Sequence, residues 1–126
     1  MDKQVIHTPD VPPARVPLSQ GIKAGEWIFV SGQLGNDPRT GKLAVGGIGA
    51  ETRQVCENLK AILRAGGSSL EKVVKVTIYM KDLNEFARMN AVYGEFFKDK
   101  PPSRATIEVA RLPRDVKIEI AVIATK

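Results

Sequence analysis

From about Gly49 to Ala65 the apolar residues Val55, Leu59, Ile62 and Leu63 recur at the spacing of a helix that buries one side, and Gly66-Gly67 supplies the stop. The period then changes to two. Residues Val73 to Met80 place Val74, Val76, Ile78 and Met80 on one face and Val73, Lys75, Thr77 and Tyr79 on the other, which predicts a strand. A second helix follows. Asp82 with Glu85 has the form of a capping box, Phe86, Met89, Tyr93, Phe96 and Phe97 line one side, and Pro101-Pro102 places the end near Lys98.

Upstream, short β runs are expected at about residues 4 to 8, at Ile22 to Ala24 and at Trp27 to Ser31, the last two joined by a turn at Gly25-Glu26. Pro9, Pro12, Pro13 and Pro17 break residues 9 to 17 into an irregular crossing segment. Residues 35 to 49 are glycine-rich and read as a loop with room for one short edge strand around Lys42 to Val45. The chain closes on two strands, Ala105 to Val109 and Val116 to Thr125, joined through Leu112-Pro-Arg-Asp115. In the second, Val116, Ile118, Ile120, Val122 and Ala124 form one face, while Lys117, Glu119, Ala121 and Ile123 form the other. Both faces are partly apolar, so a helix layer on one side leaves the other to a second copy of the chain, a hint of an obligate oligomer.

Length and composition agree with one α+β domain over residues 1–126: the chain is 43% hydrophobic and 26% charged, and no apolar run approaches a membrane span. The first residues carry no secretory pattern, so a soluble, cytoplasmic protein is expected. The net charge of +5 is scattered from Lys3 to Lys126 without a dense basic block, and nucleic acid is not demanded. One cysteine and one histidine leave no internal disulfide and no cluster at metal-ligand spacing. His7 reads as a surface or strand residue before a catalytic one, and mid-helix Cys56 as a small buried hydrophobe before a reactive thiol.

Two ionisable residues are out of place for a solvated surface. Arg104 opens a strand behind the stiff lead-in Pro101-Pro102-Ser103, and Glu119 shares a strand face with Ala121 and Ile123, where burial would raise its carboxyl pKa. A plain Arg104–Glu119 ion pair between the two terminal strands competes with a functional reading of both. Asn90 lies on the apolar side of the second helix between Phe86 and Tyr93, as a backbone clamp or a ligand contact. Ser31-Gly32-Gln33 ends a buried strand, and a glycine there lets backbone approach a ligand closely.

Taken in order, Val30-Ser-Gly-Gln33, Arg53-Gln54-Val55 through Asn58-Leu59-Lys60, Lys75-Val-Thr77, Asp82-Leu through Phe86 with Asn90, Pro102-Ser-Arg-Ala105, Glu108-Val-Ala-Arg-Leu-Pro113 and Val116-Lys-Ile-Glu119 resemble the Rid family, also called YjgF, nearly end to end. The resemblance implies a chorismate-mutase-like fold with a mixed sheet backed by two helices, assembled as a homotrimer with ligand clefts between subunits. It implies cofactor-free hydrolysis of enamines and imines such as 2-aminoacrylate, 2-iminopropanoate and 2-iminobutanoate to 2-keto acids and ammonia, with a small imino or keto acid as the partner. Arg104 matches the arginine that grips the substrate carboxylate and Glu119 the acid beside the attacking water; Ser31, Gly32 and Asn90 match residues that line or support the cleft. Three positions depart from the family pattern. Leu18, in Val16-Pro-Leu18, stands where many members carry the tyrosine of Gly-Pro-Tyr; Thr106 stands where some carry cysteine; and Ala121 replaces a second glutamate. A non-catalytic binder of small carboxylates and an endoribonuclease are the competing readings, the latter poorly served by a lone histidine.

Overall fold

Strands β2 (Gly21–Ala24) and β3 (Trp27–Gln33) pair antiparallel across the expected two-residue turn, Ala24 opposite Trp27. In the computed structural model, which describes residues 1–126, this hairpin belongs to a six-stranded sheet completed by β1 (Lys3–Ile6), β4 (Val73–Met80), β5 (Ser103–Glu108) and β6 (Ile118–Thr125). The spatial order is β1-β2-β3-β6-β4-β5, and only β4 and β5 run parallel. Helix α1 (Ile48–Ala65) joins β3 to β4, and α2 (Phe86–Phe96) joins β4 to β5. The parallel β4–β5 pair needs such a crossover, and both helices pack on the same face. The last strand enters between β3 and β4 and is flanked on both edges.

The core lies between that face and the helices. Val55, Leu59, Ile62 and Leu63 of α1 are fully buried, against Ile28, Val76, Ile78, Ile118 and Ile120 of the sheet and Met89 of α2. Each such side chain contributes about 1.5–3 kcal/mol by leaving water. Cys56 is buried among them, and burial pushes its thiol up to about 12, which keeps it unreactive. Helix α1 ends where the amides of Gly67 and Ser68 turn back to the carbonyls of Arg64 and Leu63. This closure requires a left-handed residue, and Gly67 takes it with φ of 82°. No helix is long and apolar enough to cross a membrane.

Several expectations are corrected. The capping box does not form: Asp82 Oδ1 accepts from the Asn84 amide at 2.9 Å, capping a short 3-10 turn over Leu83–Glu85, while Glu85 pairs with Lys117 and Arg88 instead. Alternation in β4 breaks at its start because the register against β6 shifts between Val73 and Lys75, which buries Val73 and leaves Val74 exposed. The edge strand at Lys42 to Val45 reduces to a single bridge between Asn36 and Leu43. Most consequentially, β5 and β6 are not neighbours, since β4 lies between them.

Candidate functional site

The ladders fix which side of the sheet each candidate residue faces. Arg104 stands opposite Val76 and through it Val122, a row on the helix-covered face, and Thr106 continues that face in the row of Ile78 and Ile120. Glu119 is in the row of Tyr79 and Ile107, on the opposite face. Arg104 and Glu119 of one chain are therefore separated by a strand, by three positions along β4 and by the sheet itself. The simple ion pair is overturned: none of the six ion pairs in the chain includes either residue.

What holds Arg104 is α2. Its Nη1 donates to Asn90 Oδ1 at 2.7 Å, and its guanidinium carbon lies 4.8 Å from the Tyr93 ring centre and 5.6 Å from that of Phe86. Asn90 is thus a side-chain clamp on the arginine rather than a clamp on backbone. Phe86, Asn90 and Tyr93 follow at i, i+4 and i+7, so one helical stripe presents all three. Periodicity placed both aromatics on the apolar side of the helix. Tyr93 is indeed buried, and burial pushes its phenol up to about 12 with Arg104 pulling the other way, so it stays a neutral hydroxyl. The Tyr93 Oη and the Thr106 Oγ1 are both buried without a hydrogen-bond partner.

On the other face, β3 carries a bulge. Val30 faces Val122 and Gln33 faces Ile120, so Ser31 and Gly32 together oppose Ala121. The bulge brings the Gly32 backbone against Glu119, where a Cβ would stand 2.8 Å from the carboxyl carbon and overlap Oε2. Only glycine leaves room for the carboxylate there. Glu119 is half-buried, and burial alone raises its carboxyl pKa above the usual glutamate range. A second displaced carboxyl, Glu51 at the start of α1, is accounted for structurally: it is buried and accepts the Lys117 amide at 2.9 Å.

Ser31 ties the proline-rich crossing segment to this bulge. Its Oγ donates to the Ser19 carbonyl at 2.6 Å and its amide to the Gln20 carbonyl at 3.0 Å. Gln20 in turn exchanges two hydrogen bonds with the Thr8 backbone. Leu18 therefore stands one residue from an anchored position, with 49% of its surface exposed. One chain thus carries two separate clusters: a cation held by an amide and two rings on the covered side, and an unpaired carboxylate with Ser31, Gly32 and Leu18 around the bulge. The pairing of Phe86 and Tyr93 with Arg104 escaped sequence reasoning, although their spacing around Asn90 carried the signal. No three His, Cys, Asp or Glu side chains stand together as metal ligands.

Comparison with known proteins places the chain in a family. The chain is 53% identical over 124 residues to a RutC family protein of Pyrococcus horikoshii, covering 98% of each. It is 44% identical over 126 residues to the 2-iminobutanoate/2-iminopropanoate deaminase of Salmonella typhimurium, again covering 98% of each. Its fold superposes on the crystal structure of Escherichia coli TdcF with bound serine at a TM-score of 0.93, with 40% identity and 98% of each chain covered. A family model described as endoribonuclease L-PSP matches residues 8–126, and with relatives this similar from end to end the chain belongs to the Rid family.

Proposed function

We propose that the chain hydrolyses reactive enamine and imine acids, 2-aminoacrylate with its tautomer 2-iminopropanoate and 2-iminobutanoate, to 2-keto acids and ammonia, in clefts between the copies of a homotrimer. The observation that carries this reading is Arg104, an arginine held by an amide and two rings with no acidic partner. An arginine so held keeps its full charge and a free edge of N–H donors for a bidentate carboxylate. The deaminase name of the Salmonella relative and the serine bound to the similar E. coli structure support a small amino- or imino-acid ligand.

Because Arg104 and Glu119 face opposite sides of one sheet, a substrate touches both only where two copies meet. The apolar open face gives those copies a reason to associate. With the carboxylate on Arg104, water attacks the electrophilic imine carbon and Glu119 takes its proton. The C=N electron pair moves to nitrogen, giving a carbinolamine. Glu119 returns that proton to nitrogen, then takes the hydroxyl proton of the neutral carbinolamine and passes it to nitrogen as well, so that the C=O bond forms as the C–N bond breaks and ammonia leaves. A carboxyl with a raised pKa suits both halves of this transfer. Leu18 brings no hydroxyl to the proton traffic and makes its part of the wall apolar. That favours, as the second reading, a binder of small carboxylates that does not turn them over. For RNA cleavage the chain offers one histidine, His7, exposed just after the end of β1.

The test uses imino acids generated in place by an amino-acid dehydratase, with semicarbazide trapping what has not decayed. Arg104→Ala and Glu119→Gln are each expected to slow hydrolysis on the order of 100-fold, the loss of charged hydrogen bonds in a desolvated cleft. Dissociating and reassociating the two variants together restores part of the rate, since mixed assemblies contain clefts with both native residues. Unchanged decay in Arg104→Ala sinks the carboxylate anchor; a mixture as inactive as its parents sinks the shared cleft.

A further inference from the structure

We propose that Phe86 and Tyr93 are positioning residues that aim the Arg104 guanidinium at its carboxylate ligand without neutralising it. The inference rests on the reading of Arg104 as the carboxylate anchor and adds the device that makes it one.

Arg104 leaves an edge strand and is itself exposed, so packing does not restrain its long side chain. A carboxylate binding to a freely rotating guanidinium has to freeze it first, at a cost in affinity. The usual restraint on an arginine is an acidic partner, but an acid at this position would occupy the donors and cancel the charge that the ligand needs. Aromatic faces restrain it differently. Their negative π-surface attracts the cation within about 6 Å of the ring centre while leaving the in-plane N–H groups unoccupied. Both rings meet that distance, at 4.8 Å for Tyr93 and 5.6 Å for Phe86. Asn90 then consumes one Nη1 hydrogen and fixes the rotation of the plane, which leaves the edge formed by Nε and Nη2 for two parallel bonds to a carboxylate.

Two features distinguish this from incidental packing. Tyr93 is a rigid floor, 6% exposed and stacked on Phe97 with ring centres 4.5 Å apart. Phe86 is the opposite case. It is the first residue of α2, and 40% of its surface remains in solvent, so core burial does not explain a phenylalanine there. Its relation to Arg104 does. The stripe Phe86, Asn90, Tyr93 is a single helical face that reads as a receptor for one guanidinium.

The decisive variant is Phe86→Leu, which keeps an apolar side chain and removes the ring at a position too exposed to decide folding. Calorimetric binding of 2-oxobutanoate is expected to weaken by roughly three- to tenfold, the range of a partly solvated cation–π contact. The KM for 2-iminobutanoate should rise by the same factor with kcat nearly unchanged, and Phe86→Trp should recover affinity. Wild-type binding by Phe86→Leu alongside a null Arg104→Ala overturns the positioning role and leaves the anchor intact. A loss in Phe86→Leu that Phe86→Trp does not repair, or one that falls on kcat alone, also overturns it. Retained 2-oxobutanoate binding in Arg104→Ala removes the anchor itself.

Discussion

The two faces of the sheet are built from alternate residues of the same strands, yet they end in different environments. On the covered side Ile28, Ile78 and Ile120 lose all contact with solvent beneath α1 and α2, while one position away Phe29 and Ile107 keep 44% and 46% of their surface exposed and Trp27 keeps 45%. The residues do not differ in kind; what differs is whether the chain supplies its own cover. Val5, Ile22, Phe29 and Ile123 form one continuous row across four strands of the open face, a larger apolar exposure than isolated surface residues produce. The candidate site divides in the same way. Arg104 shares the covered side and is ordered by its own helix, whereas Glu119 sits on the side that a single chain leaves unfinished. A half-site that its own chain completes should tolerate dilution and mutation of the open face; one that a second copy completes should not.

The largest effect should come from charging that row. Phe29→Glu is expected to leave the secondary structure intact by circular dichroism, because the side chain is not in the core, but to shift sedimentation to a single chain and abolish imine hydrolysis. An assembled, active Phe29→Glu protein would break the comparison, since the open face would then need no partner.

A smaller effect tests the carboxylate half. Gly32→Ala puts a methyl group where the Glu119 carboxyl lies and should slow hydrolysis by about tenfold or more through displacement of the base, with 2-oxobutanoate binding retained at Arg104. The same carboxyl has a pH signature. Its folded pKa is raised by burial, so its contribution to stability is full below the ordinary glutamate range and is lost as pH rises through the raised folded value. Glu119→Gln should therefore match the wild type in urea at acid pH and exceed it at neutral pH. Activity runs oppositely: the wild-type rate falls as pH drops through that pKa, because only the ionised carboxylate accepts a proton from water. Equal stabilities of the two proteins at neutral pH would show that the open face desolvates nothing.

The smallest effect concerns how the crossing segment is tied down. Ser31→Ala removes the hydrogen bond to the Ser19 carbonyl and should cost about 0.5–1.5 kcal/mol, with faster amide exchange confined to the residues around Leu18 and Gln20. Exchange unchanged there would mean that the Gln20–Thr8 pair alone holds the segment beside the bulge.

How much of this was legible beforehand follows from the range over which each cause acts. Helix α1, its glycine stop, the β2–β3 turn and the alternation of β6 are set by residues a few positions apart, and the sequence by itself determined them. The order of motifs through Pro102-Ser-Arg-Ala105 and Val116-Lys-Ile-Glu119 also pointed to the family, and the two apolar faces of β6 to a second layer of cover. The bulges at Val73 and at Ser31-Gly32 were not legible, because an extra residue in a ladder is defined only by the strand opposite. The capping box failed for a similar reason: Glu85 found a lysine 32 residues away that local spacing does not report. Above all, only the tertiary structure decided that β6 enters between β3 and β4. That insertion moves Glu119 away from β5 and across the sheet from Arg104, so that two residues that read as a ready-made pair cannot meet within one chain.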